Sequence, residues 1–329
     1  MFYVLPLSYN HGGYSRYLML KAKALTSGDT IAFIAPASTP QTAEKISKSV
    51  RYFEQLGYTV LLGKHIERER GYLAGSDKER LDDLHKMIAN KKVKAIFFIR
   101  GGYGTIRLLP FVDYDLVKRN PKIFVGYSDA TALFSAIFKK TGLQSLFFGP
   151  MPGVDIWDGF DPFAEECMWR SITSNKPYGK LPAASGEIKL LGKARFEPVE
   201  GRMIGGTLTV FSSIMGTPFV PPLNDRILLF EDVGEEPYRI DRYFAQLQAA
   251  GALDSAKAIL LGQFTECEAK KGKPSLTVPQ VFGDYFGKLG IPVLSNLPFG
   301  HIPRQWTIPY GAKLRVDDKH VSITESVLS

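Results

Sequence analysis

Cysteine is nearly absent: Cys167 and Cys267 are the two in a chain of 329 residues, and they stand far apart. With no Cys-x-x-Cys pair and no histidine cluster beside either, the pattern excludes a disulfide framework and a thiolate metal site. Histidine is scarce as well. Its five residues (His11, His65, His85, His301 and His320) show no metal-ligand spacing. No apolar run is long enough to span a bilayer. Lys and Arg number 41 against 33 Asp and Glu, a net charge of +8, but the excess is scattered apart from Lys91-Lys92 and Lys270-Lys271-Gly-Lys273. A nucleic-acid binder concentrates its charge on one stripe, often among aromatics. Here the excess reads as a solvated surface with a mild attraction for anions, so neither a nucleic acid nor a membrane is an expected partner.

What is present is the composition of an ordinary globular enzyme, with 45% hydrophobic and 22% charged residues. The length suits two domains. The apolar opening Met1-Phe-Tyr-Val-Leu-Pro-Leu7 is too short for a signal-peptide core and has no basic residue before it. Residues 1–18 are expected to form a disordered or loosely attached extension, with Met19 as an alternative start. Without an export signal the expected location is the cytoplasm.

From Gly28 the pattern becomes regular. Thr30 to Ala35, Tyr58 to Leu62, Val93 to Ile99 and Ile123 to Val125 read as buried strands. Between the first two, Ala43, Ile46, Val50, Phe53 and Leu56 recur at helical spacing and stop at Gly57. Ser76 opens a second helix through Leu81, Leu84 and Ile88. Strand and helix in alternation predict a parallel sheet with helices on both faces, and such sheets bind ligands beyond the carboxyl ends of their strands. The alternation fades after Pro150. The expected division is an N-terminal nucleophile domain at 19–150, a linker region at 151–179 and a C-terminal domain at 180–329. In the last, Gly205-Gly-Thr207 is read as opening a helix, 226–230 and 258–262 as strands, 237–250 and 278–289 as helices, and 313–325 as a hairpin.

Two turns at the expected ligand edge carry chemistry. In Val125-Gly-Tyr-Ser-Asp129 a strand ends and a helix begins, with Ser128 on the corner. A serine there is raised from the sheet above helix amides, the position of a nucleophile, although Ser or Asp at such a corner also serves as a plain helix cap. In Arg100-Gly-Gly-Tyr-Gly104, glycines after a strand aim backbone N–H groups at an anion. The spacing matches no phosphate-binding motif. An oxyanion hole built from the amides of Gly102 and Asp129 fits better. A tight turn needing positive φ is compatible with either.

A serine nucleophile needs a base and an acid to orient it. Leu228-Leu-Phe-Glu-Asp232 sets two carboxylates where an apolar strand runs out, and either could instead cap a helix or pair with Arg239 or Arg242. Leu297-Pro-Phe-Gly-His301 puts a histidine on a stiff loop, suited to proton transfer or to a plain loop hydrogen bond. His85 reads as a surface residue, His65 as solvated, and His320 as part of the tail hairpin. By elimination His301 is the candidate base.

Five motifs in order, the two turns with Gly205-Gly206, Glu231-Asp-Val-Gly-Glu235 through Tyr238-Arg-Ile-Asp-Arg242, and Pro298-Phe-Gly-His301, resemble the LD-carboxypeptidases. That serine peptidase family includes the microcin C self-immunity hydrolases. The opening Gly28 to Pro36 is similar too, so the resemblance covers about residues 20–325. It implies an α/β protein: an N-terminal parallel-sheet domain resembling class I glutamine amidotransferases, a mixed α/β C-terminal domain, and a homodimer. It implies a catalytic triad of Ser128, Glu231 and His301, no metal or cofactor, and hydrolysis of the amide before the terminal D-Ala of murein tetrapeptides. An anionic substrate calls for a cationic clamp, for which Arg304 and Arg242 lie nearest the triad in sequence. The chain departs from the family at Thr207, where Asn is usual and where a hydroxyl can still cap the helix, and after His301, where Ile302-Pro303 leads to Arg304-Gln-Trp306. Trp306 is a core aromatic or a stacking wall for a larger substrate such as a peptidyl nucleotide. The alternatives are a microcin-immunity-type amidase and a catalytically silent binding protein. A general α/β-hydrolase esterase fits poorly, because its nucleophile turn normally ends in Gly.

Overall fold

The apolar segments Thr30–Ile34 (β1), Thr59–Leu62 (β2), Val93–Phe98 (β3), Ile123–Val125 (β4) and Leu146–Phe148 (β5) form the parallel part of a first sheet. In the computed structural model, which describes residues 19–183, 186, 188–191 and 197–329, their order is β5-β4-β3-β1-β2. The expected extension at 1–18 lies outside the described residues. Ala43–Gln55 (α1), Asp77–Ala89 (α2), Tyr114–Arg119 (α3) and Ala130–Thr141 (α4) alternate with these strands. Thr42 caps α1, whose Ile46 and Phe53 are buried. Ser76 and Glu79 cap α2 reciprocally, each side chain taking a donor from the other's backbone.

Residues 151–179, expected as a linker, are folded and packed on the first sheet's layer. A π-helical turn at Pro152–Ile156 contacts α1, and Pro162–Thr173 forms a helix (α5) capped by Asp161. On α5, Trp169 stacks on Tyr58 at 5.2 Å and 5° and donates its indole N–H to the Tyr52 hydroxyl at 2.8 Å. The Pro and Gly residues that hide this segment's periodicity sit at its turns, while its aromatics supply the docking surface.

The second sheet is mixed. It comprises Gly179–Lys180 (β6), Lys189–Leu191 (β7), Val199–Thr207 (β8), Arg226–Val233 (β9), Ala258–Thr265 (β10), Val293–Ser295 (β11), Lys313–Val316 (β13) and Val321–Ile323 (β14), in the order β6-β14-β13-β8-β9-β10-β11-β7. Between β11 and β13 the chain leaves it, and Ile308–Pro309 (β12) joins the first sheet antiparallel to β5, with Ile308 opposite Phe148. The helices are Leu208–Ser213 (α6), Pro237–Ala249 (α7) and Val278–Phe286 (α8). Gly205 and Gly206 therefore end a long strand, and the helix starts after Thr207. Among the described residues this is a mixed α/β protein with two sheets, and no helix is long and apolar enough to cross a membrane.

Helix α4 is the seam between the sheets. It is buried from Ala130 to Phe138 and packs against β8 and α6. Thr131 Oγ1 accepts the Thr207 N–H at 3.0 Å, and the Ser135 hydroxyl donates to the Phe219 carbonyl at 3.1 Å. The helix that starts at the Ser128 corner is thus fixed by both halves of the chain.

Truncating the α5 anchor tests whether 151–179 is structural. Trp169→Ala is expected to cost about 2–4 kcal/mol of unfolding free energy by urea titration, whereas removing a side chain from a mere linker costs less than about 0.5 kcal/mol.

Candidate active site

The corner after β4 is strained. Ser128 has φ of +61°, one of few non-glycine residues on the left-handed side. Such backbone costs about 1–3 kcal/mol and persists where neighbours enforce it. The neighbour here is Gly101, where a side-chain carbon would stand 2.8 Å from Ser128 Cβ and 2.9 Å from Oγ. The first glycine of the Arg100–Gly104 turn is thereby explained: only a bare backbone lets the turn close over the serine.

Asp129 does not cap α4 with its side chain. Its buried carboxylate accepts the Thr105 N–H at 2.8 Å, and its carbonyl accepts the Thr105 hydroxyl at 2.5 Å, which ties the corner to the glycine turn. Burial pushes this carboxyl up to about 6, against the opposing pull of its Thr105 and Gly104 donors and the charge of Arg80. Arg80 lies in the charged first turn of α2, Asp77-Lys-Glu-Arg80. It is in fact 1% exposed, donates to the Pro36 carbonyl and pairs with Asp77 at 2.5 Å beneath the same turn. The loop after β1 braces the other side, where Ser38 Oγ accepts the Tyr103 N–H at 3.3 Å and donates to the Tyr72 carbonyl at 2.6 Å. Among the described residues the amides of Gly102 and Asp129 have no hydrogen-bond partner. Two free N–H groups beside a serine at a helix N-terminus suit a developing negative charge.

Glu231 and His301, 70 residues apart, meet here. His301 Nδ1 lies 2.8 Å from Glu231 Oε2, and the His301 backbone N–H donates to the same oxygen at 3.2 Å. A carboxylate acceptor puts the ring hydrogen on Nδ1 and leaves Nε2 as the basic nitrogen. The other carboxylate oxygen, Oε1, accepts the Thr207 hydroxyl at 2.6 Å. Gly300, with φ of +123°, brings the loop this close, since a Cβ there would sit 2.6 Å from Oε2. Burial pulls the His301 pKa down. The Glu231 hydrogen bond and the charges of Glu231, Asp232 and Asp155 outweigh it, and the net direction is up. The Tyr127 ring, next in the chain to Ser128, stands edge-on to the imidazole at 5.0 Å, so the serine corner and the histidine loop adjoin.

Thr207 is the N-cap residue of α6 but makes no side-chain cap; its hydroxyl goes to Glu231 instead. Asp232 is bonded elsewhere: it accepts both the N–H and the hydroxyl of Thr209, at 2.8 and 2.6 Å. Of the two arginines, Arg304 stacks on Phe163 and reaches Asp161 at 4.0 Å, while Arg242 is exposed over the Tyr238 ring at 5.5 Å. Trp306 is not a stacking wall. It is 1% exposed, and its indole N–H is spent on the Pro182 carbonyl at 2.8 Å. His65 is not solvated either: its Nδ1 lies 3.0 Å from Asp83 and 3.8 Å from Asp82. Among the described residues these three are the group whose donor atoms converge closely enough for a cation, and Asp82 is already paired with Lys86 at 2.7 Å. Tyr127 and Asp155 carry no sequence signal as site residues, and Thr207, marked in sequence as a helix cap, serves Glu231 instead.

Comparison with known proteins follows the same layout. Residues 31–149 match the model described as the LD-carboxypeptidase N-terminal domain, and residues 200–316 the one described as the LD-carboxypeptidase C-terminal domain. A protein of Bacillus subtilis named probable murein peptide carboxypeptidase is 40% identical over 298 residues, covering 90% of this chain and 91% of that one. The solved microcin C7 self-immunity protein MccF in complex with aspartyl sulfamoyl adenosine superposes with a TM-score of 0.83 at 29% identity, covering 94% of this chain and all of that one. MccF is known from Escherichia coli. The muramoyltetrapeptide carboxypeptidase from Oxalobacter formigenes superposes with a TM-score of 0.79 at 29% identity, covering 90% and 99%.

Two measurements test this geometry. By NMR titration His301 is expected above the ordinary histidine range, and Glu231→Gln is expected to lower it, because the variant removes the hydrogen-bonded charge. Thr207→Val keeps the shape but leaves Glu231 Oε1 without its donor, and about 1–3 kcal/mol of stability should be lost in denaturant.

Proposed function

We propose that this chain, which belongs to the LD-carboxypeptidase family, is a serine-type carboxypeptidase that releases the terminal D-Ala of murein tetrapeptides. The observation that carries the reading is the buried Glu231–His301 pair set beside the left-handed Ser128 corner. In the scheme, His301 Nε2 takes the Ser128 proton while Glu231 keeps the other hydrogen on Nδ1. Ser128 Oγ attacks the carbonyl carbon of the amide before D-Ala. The amides of Gly102 and Asp129 receive the oxyanion, and His301 returns its proton to the departing D-Ala nitrogen. Water, deprotonated by the same imidazole, then cleaves the acyl-enzyme and restores Ser128. The chemistry draws on side chains and backbone amides alone.

The substrate's free carboxylate needs a cation. Arg304, with a 46% exposed side chain and one long ion pair, follows the His301 loop and is the arginine we assign. MccF has been solved with aspartyl sulfamoyl adenosine, and an adenylate substrate would call for an aromatic wall that the buried Trp306 does not supply. That favours the murein branch, in line with the names of the Bacillus subtilis and Oxalobacter formigenes proteins. The reading extends to a cytoplasmic homodimer in two units divided near residue 180, the first resembling class I glutamine amidotransferases. The parallel order β5-β4-β3-β1-β2 supports that last likeness.

Incubation with murein tetrapeptide and with a peptidyl-adenylate mimic, followed by mass spectrometry, tests the proposal. Wild type should release D-Ala, and Ser128→Ala should lower the rate by about 10⁴-fold or more. Full hydrolysis by Ser128→Ala would overturn the triad assignment. Cleavage of the adenylate mimic alone would move the protein to the MccF-like branch.

A further inference from the structure

The imidazole of His301 rests on a second assembly besides Glu231. Tyr127 is 4% exposed, and its hydroxyl donates to Asp155 Oδ1 at 3.2 Å. Gln305 Nε2 donates to the same oxygen at 3.4 Å, and the Met151 N–H donates to Oδ2 at 2.8 Å. Asp155 lies in the π-helical turn Pro152–Ile156. That turn is anchored where the Gly153 N–H donates to the Ile99 carbonyl at 2.8 Å and the Ser49 hydroxyl donates to the Pro152 carbonyl at 2.7 Å. π-helical turns are rare and frequently sit at functional sites. This one, Gln305 and the Met151 amide combine to hold a half-buried carboxylate that is joined to the site through the Tyr127 hydroxyl.

We infer that Asp155 and Tyr127 are positioning residues for His301: the tyrosine ring blocks one side of the imidazole, and Asp155 fixes that ring and adds a further negative charge. The inference rests on the reading of His301 as the general base. The groups that act on the imidazole are Glu231, bonded to it from β9, the more distant charge of Asp232 on the same strand, Asp155 from the π-helical turn, and Tyr127 from the β4–α4 corner. Burial pushes the Asp155 carboxyl up to about 6, while the Met151 donor, the Tyr127 hydroxyl and the charge of His301 hold it lower than burial alone would. At neutral pH it is therefore an anion, and its field favours the imidazolium that forms when Ser128 loses its proton. Because Tyr127 precedes Ser128, the hydroxyl bond to Asp155 also steadies the nucleophile's corner.

The test uses the full chain, with circular dichroism as the check on folding. Asp155→Asn removes the charge and keeps the shape, so His301 should titrate lower. In NMR, and in the acid limb of kcat/KM for D-Ala release, the midpoint should fall by about 0.5 pH unit. The plateau kcat should drop about tenfold with KM within about twofold, as expected for a misaligned base rather than a lost substrate contact. Tyr127→Phe keeps the ring and removes one hydroxyl, so kcat should fall about two- to tenfold, with a smaller shift of the limb. A merely structural role would lower stability and leave the His301 titration where it is. An unchanged titration and an unchanged acid limb in folded Asp155→Asn, or in folded Tyr127→Phe should the first variant not fold, would overturn the inference. If wild type releases no D-Ala, the proposed function fails, and the NMR titration alone decides this point: a lower midpoint supports it and an equal one removes it.

Discussion

The constraint on which the site depends is one buried carboxylate. Glu231 is 1% exposed and accepts three hydrogen bonds, from the Thr207 hydroxyl, the His301 amide and His301 Nδ1. Burying an anion costs several kcal/mol unless its oxygens are satisfied. Each donor is therefore structurally obligatory, and the donors come from two separate parts of the fold. Thr207 stands where β8 ends, and His301 reaches the carboxylate only because Gly300 has no side chain in the way. Satisfying the charge and orienting the imidazole are the same event.

That event is held in place by a chain crossing. The segment from His301 to Thr307 starts after β11 in the second sheet and ends at β12, which is paired into the first. Along it the Trp306 N–H donates to the Pro298 carbonyl at 2.7 Å, and the Tyr310 N–H beyond β12 donates to the Leu146 carbonyl at 2.7 Å. With α4 wedged between the sheets, the Ser128 corner and the histidine loop share one rigid frame. Two elements from far apart in the chain thus adjoin, the arrangement that the proposed mechanism asks of a base beside a nucleophile.

Around this frame the protein buries acids rather than removing them. Asp129, Asp155 and Asp232 are each pushed up to about 6 by burial, and each is held by hydrogen bonds: Asp129 by Thr105, Asp155 by Met151 and Tyr127, Asp232 by Thr209. The charges of Asp155 and Asp232 add to that of Glu231 in raising His301. A base raised in this way accepts a proton readily and is poised for transfer near neutral pH.

Much of this was legible in the residues themselves. Strand and helix alternation through residue 148, the Ser128 corner, the glycine turn and the loop histidine all follow from local backbone preferences, which neighbours in sequence set. The helix in 151–179 was hidden because Pro and Gly at its turns break the periodicity while its aromatics do the docking. Local pattern alone leaves Glu231 and Asp232 equivalent, because adjacent residues on a strand point to opposite faces; the family resemblance names Glu231, and the packed loop shows the contact with His301. Sequence leaves Trp306 between a core aromatic and a stacking wall and gives no sign that Arg80 is buried, since a single aromatic or cation carries no mark of what will cover it. By itself the sequence determined the elements, their order and the candidate nucleophile, because those depend on contacts a few residues apart. The tertiary structure decided that the Glu231 carboxylate meets His301, what Thr207 donates to, and that Tyr127 and Asp155 stand beside the imidazole. Those contacts join residues tens of positions apart, and no local pattern encodes them.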